Sequence, residues 1–166
     1  MLASQRLVDA INQQIGNELG ASHQYTSIAT YFDRQTLVEL ARFFYRQADE
    51  ERDHAMRFVK FLVEVGAPTV IPEIPAPQAD FGSAEEAVAL SLQWEETVTQ
   101  QIYGLVDLAQ QDSNHIAMRF LDWFVTEQLE EVSTMGGLLD VVRRAGDNGL
   151  HFVEEYLVRE GQPHAE

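Results

Sequence analysis

The chain has 166 residues, 45% of them hydrophobic and none of them cysteine, which suits one ordered domain with a sizeable core and excludes a disulfide framework or a thiolate metal site. Its 27 acidic residues against 11 basic ones leave a formal charge of −16, a balance that repels nucleic acid and anionic membrane and attracts cations. The opening MLASQRLVDA lacks a basic stretch followed by an apolar one, and no run of about 18 apolar residues occurs, so we expect a cytoplasmic protein without signal peptide or membrane span.

Proline placement leaves two long stretches free to be helical. Pro68, Pro72, Pro75 and Pro77 share one segment, and Pro163 sits near the end. The first helix, expected over about 4–33, carries a stripe at three-four spacing: Leu7, Ile11, Gln14, Glu18, Ala21, Tyr25, Ile28 and Phe32. The second, over about 36–65, repeats the pattern with Leu37, Leu40, Phe44, Gln47, Glu51, His54, Phe58 and Phe61. Residues 66–82 then form a long connection. A third helix over about 83–111 opens on a capping box, Ser83 with Glu86, and carries Val88, Ser91, Glu95, Val98, Ile102 and Leu105. After the turn Asp112-Ser113-Asn114, a fourth helix over about 114–145 carries Leu121, Phe124, Gln128, Glu131, Met135 and Leu138. Gly136-Gly137 inside it marks a bend or a close helix contact. A short fifth helix, about 149–160, presents Leu150, Val153 and Leu157. It is too small to be stable alone, and a four-helix bundle has no place for its apolar face, so that face points to symmetry mates. The remainder, 161–166, reads as a flexible tail.

Long helices joined by short, long and short connections describe an all-α, four-helix bundle whose single crossover makes the second and third helices parallel. The domain covers 1–160. Every stripe is broken near its middle, so the pattern places Glu18, Glu51, His54, Glu95, Gln128 and Glu131 inside a hydrophobic interior. Unpaired carboxylates there would cost many kcal/mol, and no Lys or Arg shares a stripe with them. Bound cations compensate that charge. Glu51-Arg-Asp-His54 places one carboxylate and one imidazole on the same side of a helix, able to grip one ion. Hard oxygen ligands with a single imidazole suit iron or manganese, with zinc tolerated. Glu51 can bridge two cations, and two ferrous ions so held can pass electrons together to oxygen or peroxide. Tyr25 on the same stripe is either a redox-assisting group beside them or an ordinary core aromatic with a hydrogen-bonded hydroxyl.

The stretches GNELGASHQY (16–25), QADEERDHAM (47–56), QWEETVTQQI (93–102) and FLDWFVTEQLEEV (120–132) resemble the four helices of a prokaryotic non-haem ferritin, and the likeness spans essentially the whole chain. It implies the ferritin-like fold with its crossover and fifth helix, and a ferroxidase that oxidises Fe(II) with O2 or H2O2. It also implies self-assembly into a hollow 24-subunit shell in which ferric oxyhydroxide is stored. Carried over, Glu18, Glu51 and His54 match the first position of a diiron centre, and Glu51, Glu95 and Glu131 the second. Gln128 matches the amide beside the pair, while Glu50, Glu127 and Glu130 match the holders of a third iron. Tyr25 and Trp123 match the aromatics near the centre.

Two departures bear on the class. The fourth helix offers Gln128-Leu-Glu-Glu131 where symmetric diiron bundles carry a second Glu-x-x-His. Arg52 stands where bacterioferritins place a haem-ligating methionine, so no haem is expected. A diiron peroxidase of rubrerythrin type would bring further Glu-x-x-His motifs or a cysteine-bound iron, and a structural shell subunit would lack the ligand set. Asp112, His115 and Asp122 either line a cation channel or belong to a solvated turn.

Overall fold

The computed structural model describes residues 1–161; the expected tail beyond Gly161 lies outside the described residues. Helices α1 (Gln5–Arg34) and α2 (Val38–Glu64) form one hairpin, and α3 (Ala84–Gln111) and α4 (His115–Ala145) a second. A 3-10 turn, Asp147–Gly149, leads into α5 (Leu150–Glu160). The expected boundaries agree to within two residues. Two apolar clusters fix the topology. One joins Ala21–Phe32 of α1 and Leu40–Ala48 of α2 to Ala84–Val88 of α3 and Met135–Val142 of α4. The other joins the opposite halves of the same helices, from Leu7–Ile15 to Ala117–Phe124. The starts of α2 and α3 therefore lie at the same end, the two helices run parallel, and the connection between them spans the bundle's length.

Local chemistry sets the helix limits. Ser4, Ser83 and Asn114 cap α1, α3 and α4 by accepting backbone N–H bonds from Leu7, Glu86 and Ala117. The reciprocal half of the expected capping box is displaced: the Glu86 carboxylate accepts from Gly82 N–H at 2.7 Å, one residue outside the cap. Thr36, Gly66 and Ser113 end α1, α2 and α3 with positive φ, and the next residues donate back to Phe32, Leu62 and Ala109 carbonyls, closing the last turn. Gly136 and Gly137 sit in unbroken helix, and a Cβ on either would meet nothing within 4 Å. They mark no close helix contact.

The crossover lies on a track along α1 made by Asn12, Gly16, Gly20 and Gln24, residues spaced one helical turn apart. Asn12 grips the connection at two points, donating to Pro68 O and accepting from Val70 N–H at 2.8 Å. Gln24 does the same with Gln78, through N–H and C=O both at 2.9 Å. Between these clasps Pro72 rests on Gly16 so closely that a Cβ there would lie 2.3 Å from its ring. Trp94 and Ile74 press on Gly20. Buried amides and missing side chains let an irregular segment lie on a helix, with hydrogen bonds for its backbone at Pro68, Val70 and Gln78.

The fifth helix differs from expectation. Val153 and Leu157 are buried in this chain's own core against α2 and α4, because the 3-10 turn folds α5 back onto the bundle end. Glu154 of α5 also supplies the cap that Leu37 cannot give, accepting the Glu39 N–H at the start of α2. Burial raises the Glu154 carboxyl above its ordinary pKa. The opposite side of α5 leaves Phe152 59% exposed. Among the described residues, no helix is long and apolar enough to cross a membrane.

Candidate metal centre

Between the two apolar clusters lies a polar belt to which all four long helices contribute: Glu18 from α1, Glu51 and His54 from α2, Glu95 from α3, Gln128 and Glu131 from α4. None is more than 4% exposed. Ligand atoms of Glu18, Glu51 and His54 lie within 4.8 Å of one another, as do those of Glu51, Glu95 and Glu131. A third group, His54, Glu127 and Glu131, meets the same limit. Glu51 thus belongs to the first and second groups, and Glu131 to the second and third. The His54 ring is shared as well. Its Nδ1 stands 3.5 Å from Glu51 and 3.9 Å from Glu18, while its Nε2 stands 3.7 Å from Glu127.

Several of these atoms have no protein partner. Glu18 Oε2, both Glu51 oxygens and His54 Nδ1 are buried without a hydrogen bond. Orphaned polar atoms of this kind are rare in a core, and each would cost about 1–3 kcal/mol. A carboxylate-rich set with one imidazole and converging free lone pairs fits a hard or borderline divalent cation. Glu95 differs, for both its oxygens are held. The Tyr25 hydroxyl donates to Oε1, and Gln128 Nε2 donates to Oε2 at 3.2 Å. Gln128 is also within reach of the Glu95 carbonyl and Thr99 Oγ1. The Tyr25 hydroxyl is therefore engaged with the belt, while its ring packs edge-on against Phe44 at 6.0 Å. Trp123 meets the His54 ring edge-on at 5.4 Å and carries the Arg57 guanidinium 3.9 Å over its own ring.

Of the remaining residues singled out from the sequence, Glu50 and Glu130 stand outside these three groups. With Glu131 and Arg46 they line a cavity of about 560 Å³ between α2, α4 and α5. The Glu50 carboxyl is raised by its partial burial, and the charges of Glu127 and Glu130 add to that. Asp112 is engaged elsewhere, accepting from Ser4 and Arg6, which hold it below the usual carboxylate range. Asp112 thereby ties the turn between α3 and α4 to the start of α1. Gln14 stands one turn before Glu18 on the same stripe, where its spacing alone announces no role. Its Nε2 donates to Glu18 Oε1 at 2.8 Å.

Burial dominates the electrostatics. Desolvation pushes the Glu18 and Glu51 carboxyls well above their ordinary pKa, with repulsion from neighbouring carboxylates adding to it. Glu131 is pushed up to about 9, by desolvation first and then by Glu95 and Glu50. Glu95 rises for the same first reason, opposed by the Tyr25 and Gln128 hydrogen bonds. Without a cation Glu131 holds, near neutral pH, a proton that an unfolded chain would release. A carboxyl raised in the fold leaves stability intact below its unfolded value and removes it as pH climbs toward the folded value. For Glu131 that window runs from 4.5 to about 9. The loss approaches about 3 kcal/mol at pH 7, at about 1.4 kcal/mol per pKa unit. Chelated Glu131→Gln should therefore gain stability over chelated wild type progressively from pH 5 to pH 8. Denaturant unfolding at several pH values checks this, and parallel curves for the two proteins would refute it.

Comparison with known proteins follows the same line. The ferritin-like domain family model matches residues 8–145. The chain is 41% identical over 150 residues to ferritin BfrB of Mycolicibacterium smegmatis, covering 90% of this chain and 82% of that protein. It is 35% identical over 158 residues to a bacterial non-heme ferritin of Staphylococcus aureus, covering 94% and 95% of the two. Among solved structures, an open-pore ferritin of the archaeon Archaeoglobus fulgidus superposes with a TM-score of 0.91 at 30% identity, over 94% of this chain and 96% of that one.

Proposed function

The chain belongs to the ferritin family, and from that premise we propose that it is a ferroxidase and iron store: it oxidises ferrous iron at the buried carboxylate belt and keeps the ferric product inside a hollow 24-subunit shell. The observation that carries this reading is the set of orphaned atoms. Glu18 Oε2, both Glu51 oxygens and His54 Nδ1 converge without a protein partner or a cationic side chain to neutralise them. Ferrous ions are the substrate. Glu18, Glu51 and His54 take the first, and Glu51, Glu95 and Glu131 the second. Each gives up one electron, and the pair reduces dioxygen with two protons to hydrogen peroxide, or one peroxide to water. Glu131, which burial keeps protonated, releases its proton as cations arrive, so uptake should acidify a weakly buffered solution. Tyr25 and Gln128 hold Glu95 in place from opposite sides of the belt.

The second position has carboxylates and no imidazole, and it borders the cavity lined by Glu50 and Glu130. With Glu127 close to His54, these acids form the acceptor for a third iron on its way to the mineral. The centre then acts as a gateway that empties after each turnover. Anaerobic titration should show unequal occupancy, with the position that includes His54 filling first. The decisive measurement is native mass together with iron content after aerobic ferrous loading. A large assembly holding many irons per subunit is expected, whereas a small oligomer with two fixed irons would overturn the reading.

A further inference from the structure

From its exposed face to its inner stripe, α1 carries a chain of amides whose donors all point the same way. Gln13 Nε2 donates to Asn17 Oδ1 at 3.4 Å, Asn17 Nδ2 to Gln14 Oε1 at 3.0 Å, and Gln14 Nε2 to Glu18 Oε1 at 2.8 Å. The path zigzags along one helix by steps of four, three and four residues, which the helix face permits. It runs from exposed Gln13 through half-buried Asn17 and buried Gln14 to fully buried Glu18. An amide has one accepting and one donating end, so each link sets the direction of the next. Because Asn17 donates to the Gln14 oxygen, Gln14 must present its NH2 group to Glu18.

The consequence falls on one oxygen. Glu18 Oε1 is occupied by the amide, while Oε2 has no hydrogen bond and stands 3.9 Å from His54 Nδ1. Building on the ferroxidase reading above, we propose that Gln14, oriented by Asn17, is the positioning residue of the first metal position: it fixes Glu18 by Oε1 so that Oε2 alone is offered to the cation. Neither amide touches the metal. They act as an outer shell, holding a ligating carboxylate in one rotamer, and such partners are worth about 10–100-fold in metal affinity. Glu51, with both oxygens free, has no such tether and remains able to reach two ions.

Asn17 allows a test that leaves the core untouched. Asn17→Asp keeps the shape but removes the donor. Gln14 then turns its NH2 group toward the new carboxylate and presents its oxygen to Glu18, which displaces the ligand. Simple charge predicts the reverse, because an added acid beside the centre should tighten cation binding. The probe is Co(II), titrated anaerobically into the assembled apo-protein and followed by its visible ligand-field bands; His54→Ala identifies the band of the first position. We expect Asn17→Asp to weaken that site about tenfold, Asn17→Ala to weaken it by less, and Gln14→Leu to weaken it about tenfold with a changed band shape. Asn17→Asp binding as tightly as Asn17→Ala, or more tightly, overturns the proposal, and so does Gln14→Leu with wild-type affinity and spectrum. A wild-type cobalt band that survives His54→Ala would instead refute the placement of the centre itself.

Discussion

Replacing Glu51 with alanine should lower the initial rate of aerobic ferrous oxidation by roughly a hundredfold or more, the largest single-residue effect expected in this chain. Its oxygens belong to both the Glu18–His54 group and the Glu95–Glu131 group, so on the proposed function one truncation would remove a ligand from each position. His54→Ala should slow the reaction severely as well, though His54 belongs to the first group and to the group with Glu127 and Glu131 and does not bridge the two proposed positions. The shell should survive, because what is lost lies in the polar belt and both flanking apolar clusters stay whole. Stopped-flow absorbance of ferric formation, with sedimentation as the control for assembly, makes the comparison. Wild-type kinetics in intact Glu51→Ala shells would move the oxidation site elsewhere.

Removing α5 is the second large effect. Truncation after Gly146 exposes the core around Val153 and Leu157, each worth about 1.5–3 kcal/mol when fully buried. It also deletes the Glu154 carboxylate that caps α2, worth a further 0.5–2 kcal/mol or so. The truncated chain should therefore lose both bundle stability and assembly. Phe152→Asp separates the two, since Phe152 lies on the outer side of α5 and is 59% exposed in the single chain. It should leave the helical content and the unfolding midpoint of the bundle nearly unchanged while shifting the sedimentation profile toward small species. If Phe152→Asp sediments as wild type, α5 serves the bundle and not the contact between copies.

The helices and the belt were legible because both rest on periodicity. A stripe repeating every three or four residues forces its members inward whatever else happens, so Glu18, Glu51, His54, Glu95 and Glu131 could be placed in one interior from spacing alone. What escaped depends on the direction of groups rather than their spacing. Gln14 was visible on the stripe, but its role follows from which end of an amide faces Glu18, and that is settled by Asn17 three residues on. The track of Asn12, Gly16, Gly20 and Gln24 has regular spacing too, yet its partner is irregular backbone whose course no pattern announces. For α5 the missing quantity was the turn angle at Asp147–Gly149, which decides whether its apolar side meets its own bundle or a neighbour.

The division of the belt between two hairpins bears on the order in which the molecule comes together. Glu18, Glu51 and His54 all belong to the α1–α2 hairpin, so the first cation position can exist before the second hairpin arrives. Glu95 and Glu131 belong to α3–α4, so the second position exists only across the seam. Contacts within a hairpin are short in sequence and are expected to form first, whereas closure across the seam needs the long connection, held at Asn12 and Gln24, in place. On the proposed function, a cation at the second position would therefore pin the two hairpins together. On that same reading, the groups that pass iron onward would be the same ones that join the two hairpins.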